Sequence, residues 1–243
     1  MTKKVLRGFL FLFFILPTPA NASEGVQMNE PLQIILQSFA ARAPSNSHDL
    51  IFKAIGTSPQ LVKQLNSLAQ SGTLKKMEIS DTLINGLFGA NFKGDTMTFV
   101  PSFIDVVAGT PPWDVRSSDS IAPNNLTFVI GHLASHAANP RPSRANTSVA
   151  NFTKTMIKAE AVADLDAWND VIDAAEKENS GKQLNNGQIV YILMSLRYRA
   201  PFRTGLKQTN KLEFMPSGKF ELNSTNIDAL NAALDKTSIF DFE

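Results

Sequence analysis

Gly131-His132-Leu133-Ala134-Ser135-His136-Ala137 is the stretch on which the fold turns. Its two histidines stand four apart, and on an α-helix residues i and i+4 share a face. Leu126, Val129, Ile130, Leu133 and Ala137 recur at the helical period. They predict a helix over about 124–138 with the histidine pair beside its apolar stripe. Both imidazoles can then face one ion. The alternative is two structural histidines at a helix surface.

Outward from this stretch, the longer pattern Val149–Asn179 predicts a second helix. Glu160 and Asp164 are again four apart, and they share a face with Met156, Ala163, Ala167, Val171 and Ala174. Small neighbours let that face pack closely on another helix, and a carboxylate buried there needs a partner. Imidazole and a metal ion are suitable partners. Leu165 and Ile172 lie on the opposite side, which leaves a solvated Glu160 as the alternative.

The His pair followed 24 residues later by Glu160-Ala161-Val162-Ala163-Asp164 resembles a gluzincin metallopeptidase. The longer strings Phe128-Val129-Ile130-Gly131-His132 and Glu160-Ala161-x-Ala163-Asp164-x-x-Ala167-Trp168-Asn169 resemble the metallopeptidase-like domains of bacterial effector and polymorphic-toxin proteins. The resemblance covers about Asp95–Asn169. It implies a zincin-like fold, zinc held by His132, His136 and Glu160, and Asp164 orienting the first histidine from behind. It also implies an edge strand ahead of the site helix that aligns a substrate backbone, and Asp95–Val100 is similarly placed. One departure weighs against turnover. The family string is H-E-x-x-H, whose Glu acts as general base. Leu133 stands there, and leucine cannot take a proton, a role worth roughly 10²–10⁴-fold. Asp119 is a conceivable substitute.

The rest of the chain predicts an α+β, mainly helical domain with a small sheet. Helices are expected at Pro31–Ala41, after the Ser58-Pro59 cap, at Asn186–Ala200 and at Ile227–Leu234. Strands are expected at Leu74–Ser80 and Asp95–Val100. Ala43–His48 reads as a polar loop with a solvated His48, and Pro216-Ser217-Gly218 as a hairpin turn. Arg197-Tyr198-Arg199 reads as helix-terminal cations, Trp113 and Trp168 as packing residues. Residues 23–243 read as one domain, with N-terminal helices over 23–73, a metallopeptidase-like core over 74–200 and a hairpin and helix over 201–243.

Composition narrows the function classes. The 243 residues include no Cys, so thiol chemistry, disulfides and Cys-ligated metals are excluded. A formal charge of +1 gives no field that would gather nucleic acid. Lys3, Lys4 and Arg7, the apolar run Phe9–Leu16 and Ala20-Asn21-Ala22 have the layout of a secretory signal over 1–22. Removing it leaves 20 basic and 22 acidic residues. The expectation is therefore an exported protein, periplasmic or extracellular, that takes a peptide or protein partner and neither nucleic acid nor, after cleavage, membrane. Three functions fit: a degenerate zinc metallopeptidase, an active one with a substitute base, and a metal-free helical interaction protein.

Overall fold

A computed structural model describes residues 26–81, 89–109, 123–143, 148–196 and 212–235. Within them the chain is mostly helical, with one small mixed sheet. The expectations for 1–22, Trp113, Asp119 and 197–199 lie outside the described residues.

Three helices lead: α1 (Glu30–Ala40), α2 (Ser45–Thr57) and α3 (Pro59–Gln70). Local chemistry fixes their starts. The Asn29 side chain accepts from Leu32 N, and the Ser58 hydroxyl accepts from Leu61 N with Pro59 in the first turn. The polar loop expected at Ala43–His48 is instead helical from Ser45 onward. His48 lies in α2, half-buried, with its ring 5.2 Å from that of Phe52. Ile51, Ala54 and Ile55 of α2 are fully buried, so tertiary burial sustains a helix whose first turn is polar.

The sheet comes next: β1 (Lys76–Ile79), β2 (Ala90–Lys93) and β3 (Thr96–Phe99), in the order β1-β3-β2. β3 pairs parallel with β1 and antiparallel with β2. The strand near Asp95–Val100 is thus central, not an edge. Among the described residues β1 and β2 form the edges, and β2 is the strand that packs against the helix carrying the histidines. The β2–β3 turn is only Gly94-Asp95, and Gly94 supplies the φ of +66° that a two-residue hairpin requires. Helix α4 (Pro101–Gly109) leaves β3 directly.

Four more helices complete the described fold: α5 (Pro123–Ala138), α6 (Val149–Glu178), α7 (Asn186–Ser195) and α8 (Ser224–Asp235). Ser148 caps α6, and Asn185 with Gln188 forms a capping box on α7. The expected hairpin is a single antiparallel bridge, Phe214 with Phe220. Asn169 of α6 holds it, donating to Phe220 O at 2.8 Å and accepting from Phe220 N at 2.7 Å. Trp168 is fully buried and donates to Gly218 O at 2.8 Å, a packing role as expected.

Two apolar clusters flank α5. Leu126, Ile130, Leu133, Ala134 and Ala137 join the first, with α1–α4 and the sheet. Phe128 joins the second, with Ile157, Leu165, Trp168, Ile172, Phe220 and Leu230. The polar face of α5 therefore lies in the seam between the clusters, against α6.

Candidate metal centre

Helices α5 and α6 are antiparallel, because their contacts run in opposite chain directions. Gly131 meets Ala167 and Asp170, His132 meets Asp164, and His136 meets Glu160. Close approach depends on Gly131: a Cβ there would lie 2.3 Å from Asp170 Oδ2 and 3.3 Å from Ala167 Cα. The glycine thus brings the two helix faces within side-chain reach of one another.

The predicted convergence is present. His136 Nε2 lies 3.1 Å from His132 Nε2 and 3.1 Å from Glu160 Oε1, and His132 Nε2 lies 3.3 Å from Glu160 Oε2. Ligands at tetrahedral angles about an ion 2.0–2.2 Å away stand roughly 3.3–3.6 Å apart. The observed separations fall at or just below the short end of that range, so small side-chain rotations would seat an ion. All three residues are buried, and Glu160 is only 4% exposed. That excludes the solvated alternative for the carboxylate.

Behind the histidine, His132 Nδ1 lies 2.9 Å from Asp164 Oδ1. The distance is that of a hydrogen bond, although the N–H direction misses its angular range. A small turn of the ring would complete the bond and leave Nε2 as the lone-pair nitrogen. Phe128 stacks on the same ring, with centroids 6.5 Å apart and planes 18° from parallel. Burial holds the His136 imidazole down to a pKa of about 4; Glu160 opposes this, while His132 and Arg141 add to it. His136 is therefore neutral at ordinary pH, as a metal ligand must be.

Arg141 was not anticipated. Its Nη2 lies 2.9 Å from Glu160 Oε1, the same oxygen that faces His136. It stands after Pro140, just past the end of α5, where no helical period could flag it. Leu133, at the general-base position, is 6% exposed and belongs to the first apolar cluster. It also borders a cavity of about 230 Å³ with Phe92, His136, Ala137, Pro140 and Arg141. No carboxylate is among the described residues that line this cavity.

Chemically, the arrangement offers two imidazole nitrogens and one carboxylate from two helices, with a cavity on the His136 side. Such a set can hold one divalent ion. Comparison of the chain with protein-family models, curated proteins and solved structures returns no match.

Proposed function

We propose that this protein is an exported, zincin-like protein that holds one zinc ion at His132, His136 and Glu160, has lost peptidase turnover, and engages a peptide or protein partner. The observation that carries this reading is one juxtaposition. Two imidazoles and a carboxylate meet across the α5–α6 seam, while the residue after the first histidine is a packed leucine. A nitrogen-rich set with one carboxylate suits zinc better than an oxygen-seeking ion. Bound zinc would supply Lewis-acid polarisation of a carbonyl and a tie between the helices.

The chain's own residues set the limits of the chemistry. Asp164 holds the His132 ring in place, Arg141 presents a cation beside the site, and Leu133 takes no proton. A substrate carbonyl could be oriented here, but no carboxylate among the described residues that line the cavity stands ready to activate water or deliver a proton to a leaving amine. Binding without turnover is the consistent outcome. Strand β2, an edge of the sheet among the described residues with Phe92 at the cavity, is where an extended peptide could add as a further strand. The charge, apolar and small-residue layout of residues 1–22 supports export, and protein recovered from its host should begin at Ser23.

One observation favours a second reading. Arg141 and His136 already satisfy Glu160 Oε1 without an ion, as a metal-free helical interaction protein would require. The test is metal analysis of protein made with zinc supplied, together with cleavage of a denatured protein substrate. The proposal expects one zinc per chain and no cleavage above His132→Ala. Absent metal would support the second reading. Chelator-sensitive cleavage, lost in His132→Ala, would establish an active peptidase with a base elsewhere.

A further inference from the structure

The α5–α6 seam contains a second polar layer that the His-His-Glu centre does not use. Asp166, Asp170 and Asp173 succeed one another at helical spacing on α6. Asp173 is matched: Lys219 Nζ lies 3.0 Å away, and Gln60 N donates to it at 2.7 Å. Neither Asp166 nor Asp170 forms an ion pair among the described residues, and Lys219 acts on Asp170 only from a distance. Asp166 accepts from Gln64 Nε2 at 2.9 Å. Asp170 is 0% exposed, and neither of its carboxylate oxygens has a hydrogen-bond partner.

Independent of these acids, two neutral groups are left in the same state. The Ser135 hydroxyl, on a residue 2% exposed, faces Asp166 without reaching hydrogen-bond geometry, and its oxygen has no partner. The Gln64 amide oxygen is also buried and unpartnered. Buried oxygens left unpaired cost free energy; Ser135 and Gln64 both reach toward Asp166, and the one cation that acts on Asp170, Lys219, is held by Asp173 and Glu176. We propose that Asp166, Asp170, Ser135 and Gln64 form a second cation site, distinct from the His-His-Glu centre, which takes Ca²⁺ through oxygen ligands only.

The donor set selects the ion. Carboxylate, hydroxyl and amide oxygens are hard ligands that suit Ca²⁺ or Mg²⁺ rather than zinc. Mg²⁺ keeps several waters in strict octahedral order, whereas Ca²⁺ accepts irregular oxygen sets. The tight approach at Gly131, where Asp170 Oδ2 would meet any Cβ, leaves little room for a hydrated ion. Burial, with Asp166 and Asp173 nearby, pushes the Asp170 carboxyl well above the usual range, a strain that a bound cation would relieve. An ion here would brace the same two helices that carry the first centre.

The test is a melting series on the mature chain after chelator treatment, with Ca²⁺ or Mg²⁺ added back, alongside calorimetric titration with Ca²⁺. Expected is a Ca²⁺-dependent rise in melting temperature that exceeds the Mg²⁺ effect and survives in His132→Ala. Asp170→Asn, which keeps the side-chain shape, should abolish it. Should Asp170→Asn fail to fold, Asp166→Asn should weaken the calorimetric Ca²⁺ signal at least tenfold. No Ca²⁺ response in the wild type would overturn the site. An equal response in the Asp variants would overturn it too, leaving Asp170 as a neutral carboxyl that holds only its proton. Loss of the response in His132→Ala would assign the ion to the first centre and also overturn it.

Discussion

His132 Nδ1 and Asp164 Oδ1 stand 2.9 Å apart across two antiparallel helices, and with Nδ1 on that side Nε2 faces Glu160. A carboxylate behind an imidazole fixes its tautomer and raises its basicity as a ligand. Asp164→Asn should therefore weaken zinc affinity by roughly 10–100-fold while the helices stay intact. Competition against a chromophoric chelator, with circular dichroism as the control, measures this. Unchanged affinity would mean that Asp164 is only a buried acid.

Gly131 sets the helix separation on which the centre depends. A methyl group there would run into the Asp170 carboxylate and the α6 backbone at Ala167. Gly131→Ala should lower stability by about 1–3 kcal/mol through overpacking. It should weaken zinc binding as well, because the separated helices carry the ligands. Denaturant unfolding and the chelator competition read the two effects from one variant.

The pH dependence of the metal-free protein rests on His136. Its pKa is near 6.5 in an unfolded chain and about 4 in the folded one. Between those values the unfolded state binds more protons, so acidification favours unfolding. Nothing is lost from this group above pH 6.5, and the loss levels off below about pH 4. The expected penalty across that window is roughly 3 kcal/mol. Urea unfolding at several pH values should show this slope in the wild type and lose it in His136→Gln. Identical profiles would contradict the buried neutral imidazole.

Leu133→Glu places a carboxylate where the side chain is packed against Ile130, Ala137 and the sheet-side core. Burying it should cost about 1–3 kcal/mol or more, seen as a lowered melting temperature. Because Leu133 also borders the cavity beside His136, the new carboxylate has one outlet toward the site. A stability cost combined with newly measurable, chelator-sensitive cleavage would show that the base was the missing part. A folded variant with no cleavage would show that the substrate pocket has been lost as well.

The features legible in the sequence were local. The α5 stripe, the His132–His136 spacing, the Glu160–Asp164 spacing and the Ser58-Pro59 cap each depend on a few neighbouring residues, and the structure places them as expected. The features that escaped it depended on partners far along the chain. Helix α2 opens with Ser45-Asn46-Ser47-His48, which reads as loop until Ile51 and Ile55 are buried by other elements. Strand β2 is four residues with glycines close on both sides, too short for a period to show. Pro101 follows β3 and begins α4, and a proline after a strand pattern does not by itself announce a helix. The centrality of β3 is a matter of strand order, which no local pattern encodes. Arg141 reaches Glu160 from outside any helix, so spacing alone could not bring it in.

The zinc ion proposed to be shared by α5 and α6 is open to direct measurement as the metal stoichiometry of the purified protein after dialysis. The expected result is one zinc per chain in the wild type, and loss of that zinc in each of His132→Ala, His136→Ala and Glu160→Ala while the proteins remain folded. A metal-free wild type, or zinc retained undiminished in the Glu160→Ala protein, would contradict it.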